Sequence, residues 1–204
     1  MKKFWGFIGR REWAAVFGII LSFILGNAAL FGQQCDALRG NVIRLHILAN
    51  SDSEMDQAVK IKVRDAILAD TGELFSKASS RGSAQEAAQK ALPEMEQTAS
   101  RVLKENGFDG TAHAEFCNMY FNTRNYGEYT LPAGMYDAVR ITLGTGKGHN
   151  WWCVIYPPIC VPAAGVKNSE TLEEIRELDR QPLLTPKLAI VEAFEKIKEA
   201  FTTE

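Results

Sequence analysis

Val42-Ile43-Arg44-Leu45-His46-Ile47-Leu48-Ala49-Asn50-Ser51-Asp52-Ser53 sets the architecture of this chain. Ile43, Leu45 and Ile47 alternate with Arg44 and His46, the two-residue period of a half-buried strand. Asn50-Ser51-Asp52-Ser53 stops that strand, and Ser51 with Glu54 has the capping-box spacing of a helix start. The helix that follows carries Met55, Val59, Val63, Ala66 and Ile67 as an apolar stripe, which suits packing on the apolar face of the strand. Residues 76–82 read as a loop, and Ser83 with Glu86 repeats the capping spacing. Pro93 either starts a new helix or kinks the existing one, and Met95, Ala99, Val102 and Leu103 form the next stripe, ended by Asn106-Gly107.

From Thr111 the period changes to two. Residues 113–121, 138–143 and 151–156 read as strands separated by Gly, Pro and Asn clusters, and Gly144-Thr145-Gly146-Lys147-Gly148 joins two of them, most simply as a hairpin loop. A strand, two or three helices and then strands predicts an α+β fold: an antiparallel sheet with the helices on one face and the other face left as a working surface. The expected segments are a signal peptide or membrane anchor over 1–35, an α+β domain over 40–165 and a charged helical tail over 166–204. In the tail, Ile190, Val191, Phe194, Ile197 and Phe201 share one side of a helix predicted over 186–201, which docks on the domain or on a partner.

Lys2, Lys3, Arg10 and Arg11 precede an apolar run from Ala14 to Phe31, the pattern of an export signal with its N-terminus in the cytoplasm. At about 1.5 Å per residue the run could just cross a hydrocarbon core of roughly 30 Å as an uncleaved anchor. Its denser part, Ala14 to Leu25, suits a signal-peptide core, and Gly26-Asn27-Ala28 offers small residues for cleavage, which is the reading preferred here. The glutamine before Cys35 argues against lipid attachment. A formal charge of −2, from 23 basic and 25 acidic residues dispersed along the chain, leaves no electrostatic footprint for nucleic acid.

Export makes disulfides possible for Cys35, Cys117, Cys153 and Cys160. Cys153 and Cys160 flank Pro157-Pro158, which can reverse the chain between them; a bond there would contribute roughly 2–3 kcal/mol, and two buried free thiols are the alternative. Trp151 and Trp152 are adjacent in a strand and must point to opposite faces, so one ring can pack inside while the other meets a partner.

Catalytic and ligand-binding readings are weaker. The glycine loop lacks the spacing of a phosphate-binding loop and precedes a strand, so no cofactor is expected. His149, Cys153 and Cys160, with His113 or Cys117, do not have the close cysteine pairs of a zinc site, and no metal is expected. A thiol hydrolase would need Cys153 beside His149 or His46. His46 reads as a base, a pH-sensitive contact or a hydrogen-bonded structural histidine. Asp52 and Asp56 are explained by the helix start they precede.

The motif Ile43-Arg44-Leu45-His46-Ile47-Leu48-Ala49-Asn50-Ser51-Asp52, with Asp56-Gln57 and Lys62-Val63-Arg64-Asp65-Ala66, resembles the stage II sporulation protein R family. Tyr126-Gly127, Leu131-Pro132-Ala133-Gly134, Gly146-Lys147-Gly148, Asn150-Trp151-Trp152-Cys153 and Pro157-Pro158-Ile159-Cys160 follow in the same order, so the likeness spans roughly residues 42–161. Asn122 stands where the family pattern suggests proline, and His149 where a small residue is usual. The resemblance implies a protein made in the forespore and exported into the space between two membranes. There it activates a membrane-embedded aspartic protease, the stage II sporulation protein GA, which processes the sigma-E precursor. It would be a ligand and not an enzyme. The residues expected to meet the protease are Trp151, Trp152, Tyr156, Asn50, Asp52, His46 and Tyr126. A secreted thiol hydrolase and a peptidoglycan-binding module are the alternatives.

Overall fold

The computed structural model describes residues 9–126, 130–159 and 189–193. Helix α1 (Arg10–Asn41) leads into strand β1 (Ile43–Leu48), followed by α2 (Glu54–Ser76), α3 (Arg81–Glu105) and β2 (Ala112–Phe121). A two-residue ribbon, β3 (Arg124–Asn125) with β4 (Thr130–Leu131), precedes β5 (Gly134–Leu143) and β6 (Asn150–Tyr156). The fold is α+β, and the main sheet has the order β2-β5-β1-β6.

The sheet is mixed, which corrects the expectation of an antiparallel one. β1 pairs with β5 in parallel and with β6 in antiparallel fashion, while β2 and β5 are antiparallel along their whole length. The cause is where β1 sits: as an interior strand it needs partners on both edges, and β5 and β6 flank it. Every β1 residue from Ile43 to Ile47 is consequently buried, so the strand is not half-buried as its alternation predicts. Arg44 and His46 lie under a second layer instead of facing water.

That layering produces two cores. Ile43, Leu45, Ile47, Val139, Ile141, Cys153 and Ile155 meet Val59, Val63 and Ile67 of α2 and Met95, Ala99 and Val102 of α3. On the opposite face, Phe121, Leu131, Tyr136, Ala138 and Val154 pack with Phe31, Cys35 and Leu38 from the C-terminal end of α1. α1 thus runs without interruption from an apolar stretch in which Phe17, Ile20, Phe23 and Leu30 are exposed into the outer core of the domain. It is long and apolar enough to cross a membrane, which is compatible with export or anchoring.

Local signals shifted by a few residues. The cap of α2 is Ser53, whose hydroxyl accepts from Asp56 N, in place of Ser51; the cap of α3 is Ser80, reciprocated by Ser83, in place of Ser83 with Glu86. α3 continues through Pro93 as one helix. Of the predicted tail helix, residues 189–193 are helical and Val191 packs on the outer core, while the rest lies outside the described residues, as does Cys160.

Candidate functional site

The glycine loop does not close a hairpin. β5 and β6 lie on either side of β1, so residues 144–149 must cross over its C-terminal end, where Asn50-Ser51-Asp52 leaves the sheet. The crossing is a hydrogen-bonded lock. Gly148 N donates to Ala49 O at 2.9 Å, Thr145 N to Asn50 Oδ1 at 3.0 Å and His149 N to Asp52 Oδ1 at 2.6 Å. Asn50 Nδ2 and Ser51 Oγ in turn donate to Asp56 Oδ2, and Lys60 Nζ donates to His149 O at 2.9 Å. These bonds hold the Asp52 carboxyl below its usual range, chiefly through the His149 amide, and the Asp56 carboxyl likewise, chiefly through Ser51 and Asn50. Gly148 passes so close to Ser51 that a Cβ would stand 2.2 Å from its carbonyl oxygen. Asn50 and Asp52, singled out from the sequence as contact residues, therefore serve the loop crossing. Asp52 remains exposed beside the His149 ring, with which it pairs.

The two tryptophans separate by face, as adjacent strand residues must. Trp151 packs against the helix-side core, 5.1 Å from the Arg64 guanidinium, and Tyr156 joins the same core. Trp152 packs on the outer core and is half-buried, as is Trp151. His46 stacks on Trp152 with centroids 3.9 Å apart and planes 2° apart, and Phe121 meets the indole edge-on at 4.8 Å. Burial pushes the His46 imidazole down to about 4, so it is neutral at pH 7. The Asn150 side chain partly opposes that shift, but among the described residues neither ring nitrogen of His46 reaches full hydrogen-bond geometry.

Beside this stack, Arg44 is completely buried. Its guanidinium lies 4.1 Å over the Phe121 ring, 5.0 Å from Tyr136 and 5.6 Å from Tyr126, and it donates through Nη2 to the Tyr126 hydroxyl. Among the described residues Nε and Nη1 have no partner, and burial lowers its pKa from the ordinary arginine value. Arg124, on the exposed β3, stands 5.9 Å from the Trp152 ring. The sequence reading named Trp152, His46 and Tyr126 here but passed over Arg44 and Arg124. The signal it had was an arginine in the middle of an apolar strand, which needs an explanation wherever that strand is interior.

The proposed chemistries of Cys153 do not assemble. Cys153 is disulfide-bonded and lies in the helix-side core, whereas His46 faces the other way; Cys35 and Cys117 are free thiols. Among the described residues no group of three or more His, Cys, Asp or Glu side chains is placed to hold a metal ion.

Together the fold and the site define a class: a small α+β domain carried on an apolar helix, presenting an aromatic and basic patch on its outer face. Residues 39–165 match the family model described as Stage II sporulation protein R (spore_II_R). The chain is also 36% identical over 180 residues to "Stage II sporulation protein R" of Bacillus subtilis (strain 168), an alignment covering 83% of this chain and 80% of that protein. The chain belongs to the stage II sporulation protein R family and has a role in sporulation. No solved structure matches it.

Proposed function

We propose that the chain is an exported, non-catalytic signal that activates a membrane-embedded aspartic protease, the stage II sporulation protein GA, so that the protease processes the sigma-E precursor. It acts from the space between the forespore and mother-cell membranes. The observation that carries this reading is the Trp152 patch: a half-exposed indole backed by His46 and Phe121 on a rigid sheet, at the end of an apolar helix that suits a membrane-proximal partner. Activation then follows from binding, because a ligand shifts a protease between states only through its difference in affinity for them. The burial of Cys153 in a disulfide on the face opposite His46 speaks against a thiol hydrolase.

The test is co-expression of this chain with the protease and a tagged precursor. Trp152→Ala is expected to abolish precursor cleavage while the domain stays folded; Trp151→Ala, on the helix side, is expected to cost stability instead. Normal cleavage with Trp152→Ala would refute the assignment of the surface. Trp152-dependent retention on purified peptidoglycan, without precursor cleavage, would favour a wall-binding module.

A further inference from the structure

Among the described residues, the outer face holds two arginines that no carboxylate pairs with, Arg44 and Arg124. Arg44 is buried to the last atom, yet among the described residues its only hydrogen bond goes to the neutral phenol of Tyr126, and two of its donors find no acceptor. Arg124 forms no ion pair among the described residues, and its charge lies close enough to disfavour the Arg44 cation further. His46, neutral at pH 7, stacks on Trp152, and the Arg140 and Arg44 charges disfavour its protonation as well. Among the described residues, Glu115 pairs with Arg140, Asp36 with Arg39 and Asp137 with Arg81. An arginine in such a position is held by aromatic faces and one phenol oxygen, and buried donors without acceptors are costly.

We infer that the Trp152 patch is a receptor for a carboxylate side chain on the partner protein, taken between Arg124 and Arg44. This inference rests on the protein-ligand reading above. The acidic group first meets the exposed Arg124 guanidinium at the rim of the Trp152 ring. It then replaces the Tyr126 hydroxyl as the acceptor for Arg44. The exchange is favourable in kind, because an ionised carboxylate accepts more strongly than a phenol and can engage two guanidinium N–H groups at once. It also relieves the repulsion between the two arginines. The structure thus points to an occupant with an acidic residue next to an apolar or aromatic one, the second seated on Trp152. A basic or purely apolar segment would leave Arg44 unsatisfied.

Two measurements test this, both on the full chain in detergent micelles. In the first, the solubilised protease is captured by wild-type, Trp152→Ala, Arg124→Lys and Arg124→Glu chains. Capture is expected to fall at least tenfold with Arg124→Glu, to persist largely with Arg124→Lys, and to weaken with added salt. Undiminished capture by Arg124→Glu, when Trp152→Ala abolishes it, would overturn the carboxylate inference and leave the surface assignment standing. In the second, independent of the protease, a short glutamate-rich peptide is titrated into 15N-labelled chain while the arginine Nε–H signals are followed. The expected result is a saturable shift of the Arg44 and Arg124 signals, absent with a matched lysine-rich peptide and lost in Arg124→Glu. Failure of the protease capture with a positive titration would sink the partner but keep the site. An Arg44 signal unmoved by the acidic peptide would overturn the site itself, and Arg124→Glu, at an exposed position, keeps the outcome free of folding effects.

Discussion

Replacing Gly148 by alanine puts the loop crossing to its most direct test. The added methyl would lie 2.2 Å from the Ser51 carbonyl oxygen, 2.5 Å from its carbon and 2.9 Å from the Ala49 Cβ. Two of these are backbone atoms on the segment that Asp56 and Gln57 hold in place, so no side chain can swing aside. The loop must lift, and the bonds from Gly148 N to Ala49 O at 2.9 Å and from Lys147 N to Asn50 O at 3.2 Å go with it. Overpacking costs about 1–3 kcal/mol and each net hydrogen bond about 0.5–1.5 kcal/mol, giving a total of about 2–6 kcal/mol. At about 3 °C for each kcal/mol in a domain of this size, Tm should fall by roughly 6–18 °C. Near-ultraviolet circular dichroism on heating, which reads the packed tryptophans, provides the assay. Gly107→Ala is the control: its φ of +75° penalises alanine, but nothing lies within 4 Å of the new methyl, so it should cost only about 1–2 kcal/mol. A Gly148→Ala chain that melts no lower than Gly107→Ala would refute the idea that the loop is clamped onto the end of β1.

Other perturbations reach the remaining features. Asn50→Ala removes the acceptor of Thr145 N and a donor to Asp56, and should destabilise by about 2 kcal/mol in urea titrations. His46 has a folded pKa of about 4 against an ordinary 6.5, so between these values the unfolded chain binds a proton that the folded chain refuses. Stability should therefore fall as pH drops from 6.5 towards 4, by at most about 3 kcal/mol, and His46→Phe should remove that part of the slope. Arg44→Met replaces an uncompensated buried cation by an apolar chain of similar length; denaturant midpoints should stay level or rise, and a loss beyond about 3 kcal/mol would show that the aromatic cage needs the charge. Because Cys153 is disulfide-bonded, a thiol reagent should count only Cys35 and Cys117 in unreduced, denatured chain, and reduction should lower the midpoint.

Much of this architecture was legible in the sequence because local rules decide it. The alternation at Ile43, Leu45 and Ile47 marks a strand, the helical stripes that follow mark two helices, and period two from Thr111 marks the β-rich half. What escaped was set by long-range pairing. Arg44 and His46 read as a wet face, since nothing local says that α1 and the β3–β4 ribbon will cover them. A six-residue glycine loop looks like a hairpin unless one knows that β1 has already taken the place between β5 and β6. Adjacent tryptophans do fix that their rings oppose one another, but not which ring meets the helices; that choice came from the register pairing His46 with Trp152 and Leu45 with Cys153.

The seamless passage of α1 from bare apolar helix to core element has a mechanical consequence. Between Leu30, exposed, and Phe31, buried against the sheet, there is no slack of even one residue. For an anchored chain the domain cannot pivot like a float on a string: its height, tilt and compass bearing are those of the helix itself. A receptor in the facing bilayer would then be sought by sliding and spinning in a plane, with one fixed side always turned towards it, so that lengthening the junction by a few glycines should blunt signalling without touching a single contact residue.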